Sequence, residues 1–371
     1  MRIMTHSAPC LLLEAAELVY GLVNRLSPQE LTADGKYCIP PEDMRRISQT
    51  ACAGLSADDP RLQFYFSGVP IEGAPHRTFC LGRCLLYASL NVDCSDVDSA
   101  VAAMSAAWGR GDEPLHITGV YGYSIGIGAP QSSFSSLAQE VAQLPLPQSC
   151  QMQLVEVLAN TDKHLRIVSE ILRPVASSLE ALLQPWIRQA APLLAQWENF
   201  FRQEDANDFL LQRCQFDQSQ IDSLNLALRY ISPNLTMGSF QAPSSALHLH
   251  MGLNATVSKL REPKSPALDE RDFAALRLLA NPARAEMLRL LVGRTMSAQS
   301  VATTLGMHVG SVFRDLNNLY NAQLLLVSSV NGRNSYRTSP AMIRSVTQRL
   351  NQYIFSEAES GPEDPQTNGM T

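Results

Sequence analysis

The sequence lacks three features, and each absence excludes a class of protein. It has no uninterrupted apolar run of roughly 18 residues, the length that a membrane-spanning helix needs, so no membrane partner is expected. Leu11–Leu13 is followed at once by Glu14 and Glu17, which is unlike a signal peptide. The eight cysteines are scattered rather than densely spaced. A secreted disulfide scaffold is therefore not expected, and the cytoplasm is the predicted location.

Lysine is absent from Leu268–Ser356, and this stretch is basic through arginine alone. It contains ten arginines and five acids, a net charge of +5, so the remainder of a chain with net charge −6 carries −11. A basic segment in an acidic chain favours a polyanionic partner, although an ordinary solvated surface gives the same count.

The length and composition predict a folded, two-domain protein of the α+β class that is mainly helical. At 371 residues, with 45% hydrophobic and 17% charged residues, the chain can bury a sizeable core. Apolar residues at helical spacing predict helices in 10–26, 41–55, 59–67 and 150–204, and alternation over 210–253 predicts strands. The predicted organisation is a large helical or mixed domain at 1–253, a linker at 254–268, a second domain at 269–356 and a disordered acidic tail at 357–371.

His76, Cys80 and Cys84 recur every four residues. On a helix they would form one stripe, able to offer two thiolates and an imidazole to a soft metal, or a dithiol to an oxidant. The alternative is that both cysteines are buried as small apolar side chains, the commoner role of a free cysteine. We favour burial and keep the three residues as candidates for a thiol or metal site.

Gly122–Gly126 matches the five-residue pattern of the nucleophile elbow in serine hydrolases, with Ser124 as the nucleophile. An elbow leads directly into a helix, whereas Gly128, Pro130 and a serine-rich stretch follow here. Glycines that let a strand bend are the favoured interpretation. We therefore predict neither an enzyme nor a cofactor, and keep a serine hydrolase as the alternative.

His248 and His250 lie on one face of a predicted strand, because apolar residues alternate with them. A His-x-His pair on a strand can chelate zinc, but the sequence offers no evident further ligands. A solvated strand face is the favoured interpretation.

The strongest local signals lie between Leu276 and Thr338. Asn281 and Ser297 each stand where a helix needs an N-cap, and Gly306 supplies the tight turn between two crossed helices. Asn331–Gly332, between two strand-like runs, is the preferred dipeptide of a two-residue β-hairpin turn. The resulting order is helix, helix, helix–turn–helix and β-ribbon, which predicts a winged helix–turn–helix.

The last helix before the ribbon has two distinct faces. Val312, Leu316 and Leu319 recur at helical spacing and predict a buried face. The opposite side offers the short or hydrogen-bonding side chains that insertion into the DNA major groove requires: His308, Gly310, Ser311, Arg314 and Asn317. The ribbon adds residues that can meet phosphates or a minor groove: Arg333, Asn334 and Arg337.

This stretch resembles the DNA-binding domain of the arsenical-repressor (ArsR) type of bacterial and archaeal regulators. Leu276–Leu291 (LRLLANPARAEMLRLL) is similar to the family's leucine-rich opening, and Ser297–Gly306 (SAQSVATTLG) is similar to its next helix. Ser311–Leu316 (SVFRDL) falls on the family's recognition helix, and Asn331–Arg337 (NGRNSYR) falls on its wing. The resemblance covers the C-terminal domain only.

The resemblance implies a homodimer on a palindromic operator, with the first helix of the domain and the helix at Ala341–Phe355 forming the dimer interface. The family usually has serine at the start of the recognition helix, where His308 stands. Metal-sensing members carry cysteine pairs or Asp/His sets in this domain, but here it has no cysteine and no histidine besides His308. Any signal is therefore expected to enter through residues 1–253.

The favoured interpretation is a sequence-specific transcriptional regulator, a repressor rather than an activator, that binds double-stranded DNA as a homodimer. Its N-terminal domain would bind a small-molecule effector or sense the oxidation state of thiols. Ser311 and Arg314 would read bases, while Arg333 and Arg337 would hold the DNA backbone. The alternatives are an N-terminal hydrolase with an appended winged helix, and a winged helix that docks another protein.

Overall fold

The structure is a computed structural model of the chain, and its described residues form two compact units. The described ranges are 1–71, 74–87, 96–109, 115–119, 123–127, 138, 141–142, 144, 146–203, 206, 209–210, 221–240, 246–258, 268–330 and 333–355. The N-terminal unit is built on Met1–Arg261, and the C-terminal unit on Glu262–Ser329 and Asn334–Thr371. The fold is α+β and mainly helical, as predicted. No helix in the described ranges has the length and apolar character that crossing a membrane requires.

The N-terminal unit contains eight helices and eight strands within its described ranges. In chain order these are β1 Arg2–His6, α1 Leu11–Val23, α2 Pro41–Ala51, α3 Pro60–Phe66, β2 Val69–Ile71, β3 Ala74–Phe79, α4 Leu81–Tyr87, α5 Val97–Gly109, β4 Leu115–Gly119, β5 Tyr123–Ile127, α6 Gln148–Ala159, α7 Thr161–Leu182, α8 Gln184–Phe201, β6 Ser223–Arg229, β7 Met237–Phe240 and β8 Ala246–Gly252.

A four-stranded sheet in the order β1-β6-β8-β7 lies at the centre of this unit. Strands β1, β6 and β8 are parallel, and β7 runs antiparallel to β8. Leu224 pairs with Leu247 and Leu226 pairs with Leu249, and all four side chains are fully buried. Because alternate residues of a strand point to opposite faces, this leucine layer forms one face of the sheet and joins the main hydrophobic core.

Helix α1 lies inside the same core, and twelve of its thirteen residues are buried. It packs against α3, α4 and α7, so it is covered on several sides. A helix in this position needs an apolar surface all round, which the sequence LLLEAAELVYGLV supplies except at Glu14 and Glu17. Two buried carboxyl groups require partners inside the protein.

Most elements predicted for the N-terminal unit are present. Helices α1, α2 and α3 lie within the predicted 10–26, 41–55 and 59–67, and three helices occupy most of 150–204. The helical stripe considered for His76, Cys80 and Cys84 does not form, because the three residues do not share one helix. Strand β3 pairs with β2 and ends at Phe79, and only then does α4 begin at Leu81. The strand pairing therefore overrides the helical spacing of the three side chains.

The C-terminal unit contains five helices and three strands within its described ranges. They are α9 Glu270–Leu279, α10 Pro282–Leu290, β9 Met296–Ser297, α11 Ala298–Leu305, α12 Val309–Asn321, β10 Leu325–Val330, β11 Arg333–Thr338 and α13 Pro340–Phe355. The strands form one sheet in the order β10-β11-β9. Of the predicted linker, Ala255 accepts a hydrogen bond from Trp197 of the N-terminal unit at 3.1 Å, and 259–267 lie outside the described residues, as does the tail.

A separate hydrophobic core holds the C-terminal unit together. Its fully buried members come from every helix of the unit and from the ribbon: Ala275, Met287, Leu288, Leu291, Val301, Ala302, Val312, Leu316, Leu319, Leu324, Leu325, Tyr336, Met342 and Val346. Thr338 fastens the ribbon to α10, because its hydroxyl donates to the carbonyl of Leu288 at 2.6 Å and its N–H donates to that of Leu291 at 3.1 Å. The inward face of α9 centres on Ala275, whereas the apolar side chain of Phe273 is 42% exposed.

Candidate nucleic-acid interface

The three successive helices α10, α11 and α12 each begin at a side-chain cap. Asn281 accepts from the backbone N–H of Arg284 at 3.1 Å, and Ser297 accepts from that of Ser300 at 3.2 Å. At the start of α12, Nδ1 of His308 accepts from the N–H of Gly310 at 3.2 Å. The imidazole thus performs the capping role for which serine is usual, and α12 begins at a defined residue.

Gly306 makes the turn between α11 and α12. It adopts φ 64° and ψ 30°, the left-handed conformation that glycine reaches without a steric penalty. The N–H of Met307 then donates to the carbonyl of Ala302 at 2.9 Å, which closes the end of α11. The two helices pack against each other across this turn, and α10 packs against both.

Helix α12 presents one face to the core and the other to solvent. Val312, Leu316 and Leu319 have no exposed surface. The predicted DNA-contacting residues occupy the other side: His308, Gly310, Ser311 and Arg314 are exposed, and Asn317 is half-buried. The structure therefore gathers these five residues along one side of a single capped helix.

The ribbon follows α12 along the chain. Its second strand, β11, is the central strand of the three-stranded sheet. Tyr336 pairs with Met296 of β9 and is buried, while its neighbour Arg337 is half-buried. Arg333 and Asn334 begin β11, but their side chains and the Asn331–Gly332 turn lie outside the described residues.

Several arginines of the C-terminal unit retain an available positive charge. Among the described residues, no carboxylate forms an ion pair with the exposed Arg277, Arg294, Arg314 or Arg344. Arg284 by contrast binds Asp315 of α12, with Nε 2.8 Å from Oδ1. The charge excess counted in the sequence is therefore present at the surface of this unit.

The cysteines proposed as a thiol or metal site are deeply buried. Cys80 and Cys84 are at most 1% exposed, and burial raises the pKa of the Cys80 thiol to about 11 and that of Cys84 well above its usual value. A neutral thiol is a poor metal ligand and a poor nucleophile. The side chain of His76 is outside the described residues, and the described side chains include no metal-binding group of three His, Cys, Asp or Glu.

Ser124 is the second residue of strand β5 and lies within a β-hairpin. It pairs with Thr118 where β5 runs antiparallel to β4, and no helix follows directly within the described residues. A nucleophile elbow needs a sharp turn from strand to helix at the serine, so the backbone around Ser124 differs from one. Gly122 lies outside the described residues.

His248 and His250 are buried, at 8% and 2% exposure, and the expectation of a solvated strand face is wrong. Every residue of β8 from Leu247 to Gly252 is buried, so both faces of this strand are covered, as is usual in a mainly parallel sheet. His248 pairs with Asn225, and Asn225 in turn contacts His6 at 3.3 Å from Oδ1 to Nε2. What covers the face of a strand is a tertiary property that alternation within the strand does not reveal.

The N-terminal unit also contains a buried ionic cluster that was not predicted from the sequence. Glu17 binds Arg83 through its Nε at 3.0 Å and Arg229 through its Nη2 at 3.1 Å, and it accepts from the Ser232 hydroxyl at 2.9 Å. The guanidinium of Arg83 also lies 3.8 Å from the centre of the Tyr20 ring. All three charged residues are less than 5% exposed.

Glu14 lies one helical turn before Glu17, and both carboxyl groups bind the chain that leaves β6. Glu14 accepts from the backbone N–H groups of Tyr230 at 3.0 Å and Ile231 at 2.7 Å. Desolvation by complete burial raises the pKa of Glu14 to about 7, against the opposing effects of Arg229 and the two N–H groups. Two acids inside an apolar helix were the available signal for this cluster.

Comparisons with known proteins do not indicate a function for this chain. No protein-family model matches this chain, and no curated protein matches it. The geometry and charge of the C-terminal unit are therefore the observations from which a function can be inferred.

Proposed function

We propose that this chain is a sequence-specific DNA-binding transcriptional regulator, and that its C-terminal unit is a winged helix–turn–helix of the ArsR type. One observation carries the proposal. Helix α12 is capped, buried along one side, and exposes Gly310, Ser311 and Arg314 along the other. A helix that inserts into the major groove needs this combination of a rigid inner face and a small, polar outer face.

Each exposed residue suits a distinct contact. The absence of a side chain at Gly310 and the short one at Ser311 allow the helix backbone to approach the DNA closely. Arg314 can donate two hydrogen bonds to O6 and N7 of guanine, and Asn317 can bind adenine in the same manner. In this proposal α12 reads the sequence.

The ribbon would hold the DNA backbone in the same complex. Arg333, Asn334 and Arg337 would contact phosphates or a minor groove next to the site that α12 reads. Such contacts contribute affinity that depends on salt but carry little sequence information. The excess of arginine over acids in 268–356 favours this partner over a protein.

We propose a homodimer whose interface includes α9 and α13. These two helices pack together, and they expose large apolar side chains: Phe273 at 42%, Tyr353 at 49%, Ile354 at 57% and Phe355 at 56%. Exposed apolar side chains at the end of one helix are unfavourable in water unless a partner covers them. Two copies related by a two-fold axis would place two α12 helices on a palindromic operator.

The N-terminal unit would bind the effector that controls the DNA affinity, and repression is the proposed direction of control. A cleft of about 440 Å³ lies between α3 and α6, within the size range of small-molecule sites. Its lining is uncharged and includes Gln63, Phe64, Ser149 and Gln153. An uncharged lining favours a neutral molecule, because a buried charge without a partner is costly.

The proposal is tested by selecting the preferred duplex from a random library with the full chain, and then measuring affinity by fluorescence anisotropy. We expect a palindromic preferred sequence. We expect Arg314→Ala to lose about 1–3 kcal/mol of discrimination at one base pair of each half-site. Arg333→Ala should weaken binding to all sequences alike and reduce the slope of log affinity against log salt by about one.

Arg45→Ala is the matched control, because it removes the same charge from an exposed position on α2. We expect its affinity and its salt slope to equal those of the wild type. Selection of no sequence, or equal discrimination by Arg314→Ala and the wild type, would contradict the proposal.

The dimer is tested separately by light scattering after size-exclusion chromatography. Replacing Ile354 and Phe355 by serine should shift the chain towards the monomer and weaken binding to a palindrome more than to a single half-site. Met152→Ser is the control, because Met152 is 67% exposed but lies in the N-terminal unit. An unchanged molar mass would exclude α13 from the interface.

A further inference from the structure

One acidic residue, Asp315, belongs to the helix that is proposed to read DNA. It follows Arg314 directly, and DNA is a dense array of negative charge. An uncompensated carboxylate at this position would oppose binding. The carboxylate is compensated, because Oδ1 of Asp315 accepts a hydrogen bond from Nε of Arg284 at 2.8 Å.

Arg284 lies in the first turn of α10, where a positive side chain is not favoured. The helix dipole places partial positive charge there, and the N–H of Arg284 is already bound to the Asn281 cap. The side chains of Arg284 and Asp315 are 24% and 20% exposed, so this pair is less screened by solvent than the surface pair Arg289–Glu286, at 79% and 53%. The position of Arg284 is therefore explained by its partner on α12.

The pair also adds a polar contact between α10 and α12, which otherwise meet through the hydrophobic core. Leu288 of α10 and Leu316 of α12 are buried in the same core, and such apolar contacts tolerate small rotations of one helix against the other. A hydrogen-bonded ion pair has a narrower range of geometry. It limits the rotation of α12 about its own axis, and that rotation decides where Arg314 points.

We propose that Arg284 is a positioning residue for DNA recognition: it neutralises Asp315 and orients α12, so that Arg314 reaches the base edges. This inference rests on the proposed function, because it assigns a role within the same DNA complex. Arg284 itself contacts no base in this arrangement.

The test is a double-mutant cycle in the full chain, with affinity measured on the selected duplex and on a scrambled duplex over a salt series. The variants are Arg284→Gln, Asp315→Asn and both together. Arg289→Gln is the matched control, since it removes an arginine from the same helix that pairs with an acid on that helix. Unfolding in urea establishes that each variant is folded under the binding conditions.

We expect Arg284→Gln to weaken binding by roughly tenfold and to reduce the salt slope by about 0.9, because it exposes a carboxylate beside the phosphates. Asp315→Asn should bind the scrambled duplex more tightly, because it releases a positive charge, and it should discriminate less between the two duplexes, because the pair that orients α12 is weakened. The double variant, in which the pair is neutral again, should recover the wild-type salt slope. Arg284→Lys keeps the charge and should restore most of the affinity, but with lower discrimination, since lysine lacks the fixed donor geometry of arginine.

Other outcomes would overturn the inference. If the double variant binds as weakly as Arg284→Gln, Asp315 is not the reason for the loss. If Asp315→Asn leaves the discrimination between the two duplexes unchanged, the pair does not orient Arg314. If the wild type binds DNA in an Arg314-dependent manner while all pair variants equal Arg289→Gln, only this inference fails. If the wild type binds no DNA, the proposed function fails with it.

Discussion

Two opposite uses of arginine are represented by one pair of residues in each unit of this protein. In the N-terminal unit, Arg83 and Arg229 are buried against Glu17, and their charges are neutralised inside the protein. In the C-terminal unit, Arg314 and Arg344 are exposed, and no described carboxylate forms an ion pair with them. A neutralised arginine holds the fold together, whereas an exposed one can attract an anion. Residue counts therefore indicate a partner only when burial is known.

The sharpest way to test the comparison is to remove the shared carboxylate of the buried cluster. Glu17→Gln leaves Arg83 and Arg229 buried without their main partner. We expect a loss of about 3–5 kcal/mol in the free energy of unfolding, the usual cost of breaking a buried pair. Tryptophan fluorescence during urea unfolding measures it in the N-terminal unit, because all three tryptophans, Trp108, Trp186 and Trp197, belong to that unit.

The control is an ion pair of the same type on the surface. Asp43 binds Arg46 at 2.8 Å, with 33% and 72% of the two side chains exposed. Asp43→Asn should change the unfolding free energy by less than about 1 kcal/mol. Equal effects of the two substitutions would mean that burial does not decide how much these ion pairs contribute to stability.

A second, smaller effect should appear in the pH dependence of stability. Burial raises the pKa of Glu14 from 4.5 to about 7, so between these values the folded state holds a proton that the unfolded state has lost. Stability from this group is therefore present below pH 4.5 and is lost as the pH rises to about 7. The expected change is of the order of 3 kcal/mol.

Glu14→Gln isolates this contribution, because glutamine does not titrate. The difference in unfolding free energy between wild type and variant should be smallest at low pH, where Glu14 is protonated. Towards neutral pH the wild type should lose stability relative to the variant, whereas an ordinary carboxylate would make it gain stability. Burial of His164 lowers its pKa and acts against Glu14 in the wild type, but it cancels in this difference. A difference that stays constant between pH 4.5 and 7 would contradict the raised pKa.

The smallest effects should separate fold from recognition within the C-terminal unit. Gly306 has φ 64° and open space around its missing Cβ, so Gly306→Ala should cost about 1–2 kcal/mol through the backbone alone. Gly310 is helical, and its new Cβ would meet only the exposed His308 ring at 3.3 Å. Gly310→Ala should leave stability unchanged or raise it by less than about 1 kcal/mol, while weakening DNA binding.

Hydrogen exchange of the amides of α11 and α12 measures the change in local stability, and anisotropy on the selected duplex measures the change in DNA affinity. We expect Gly306→Ala to accelerate exchange and Gly310→Ala to slow it or leave it unchanged. A Gly310→Ala variant that binds DNA as tightly as the wild type would show that α12 does not approach DNA through this residue.

Local signals in the sequence predicted most of the C-terminal unit, because its determinants are local. The caps at Asn281 and Ser297, the left-handed Gly306 and the buried side of α12 each depend on residues within one or two helical turns. The cap at His308 was not foreseen, since an imidazole is an uncommon helix cap. The exposure of Phe273 shows that a short apolar pattern does not determine which face of α9 points towards the core.

The N-terminal unit was much less predictable, because its determinants are distant in sequence. Glu14 and the N–H of Tyr230 are separated by 216 positions, and no local pattern pairs them. The burial of His248 depends on what packs over the faces of β8, whose residues from Leu247 to Gly252 are all buried. Strand β3, which carries His76, pairs with β2, and the spacing of His76, Cys80 and Cys84 does not reveal this pairing.

By itself, the sequence determined the succession of helices and turns in the C-terminal unit and the excess of arginine there. These follow from spacing, capping and composition, which act over a few residues. Only the tertiary structure decided which arginines are neutralised and which face solvent. That decision depends on which carboxylate each guanidinium meets, such as Asp315 for Arg284 and Glu17 for Arg229, and such meetings occur between elements that only packing brings together.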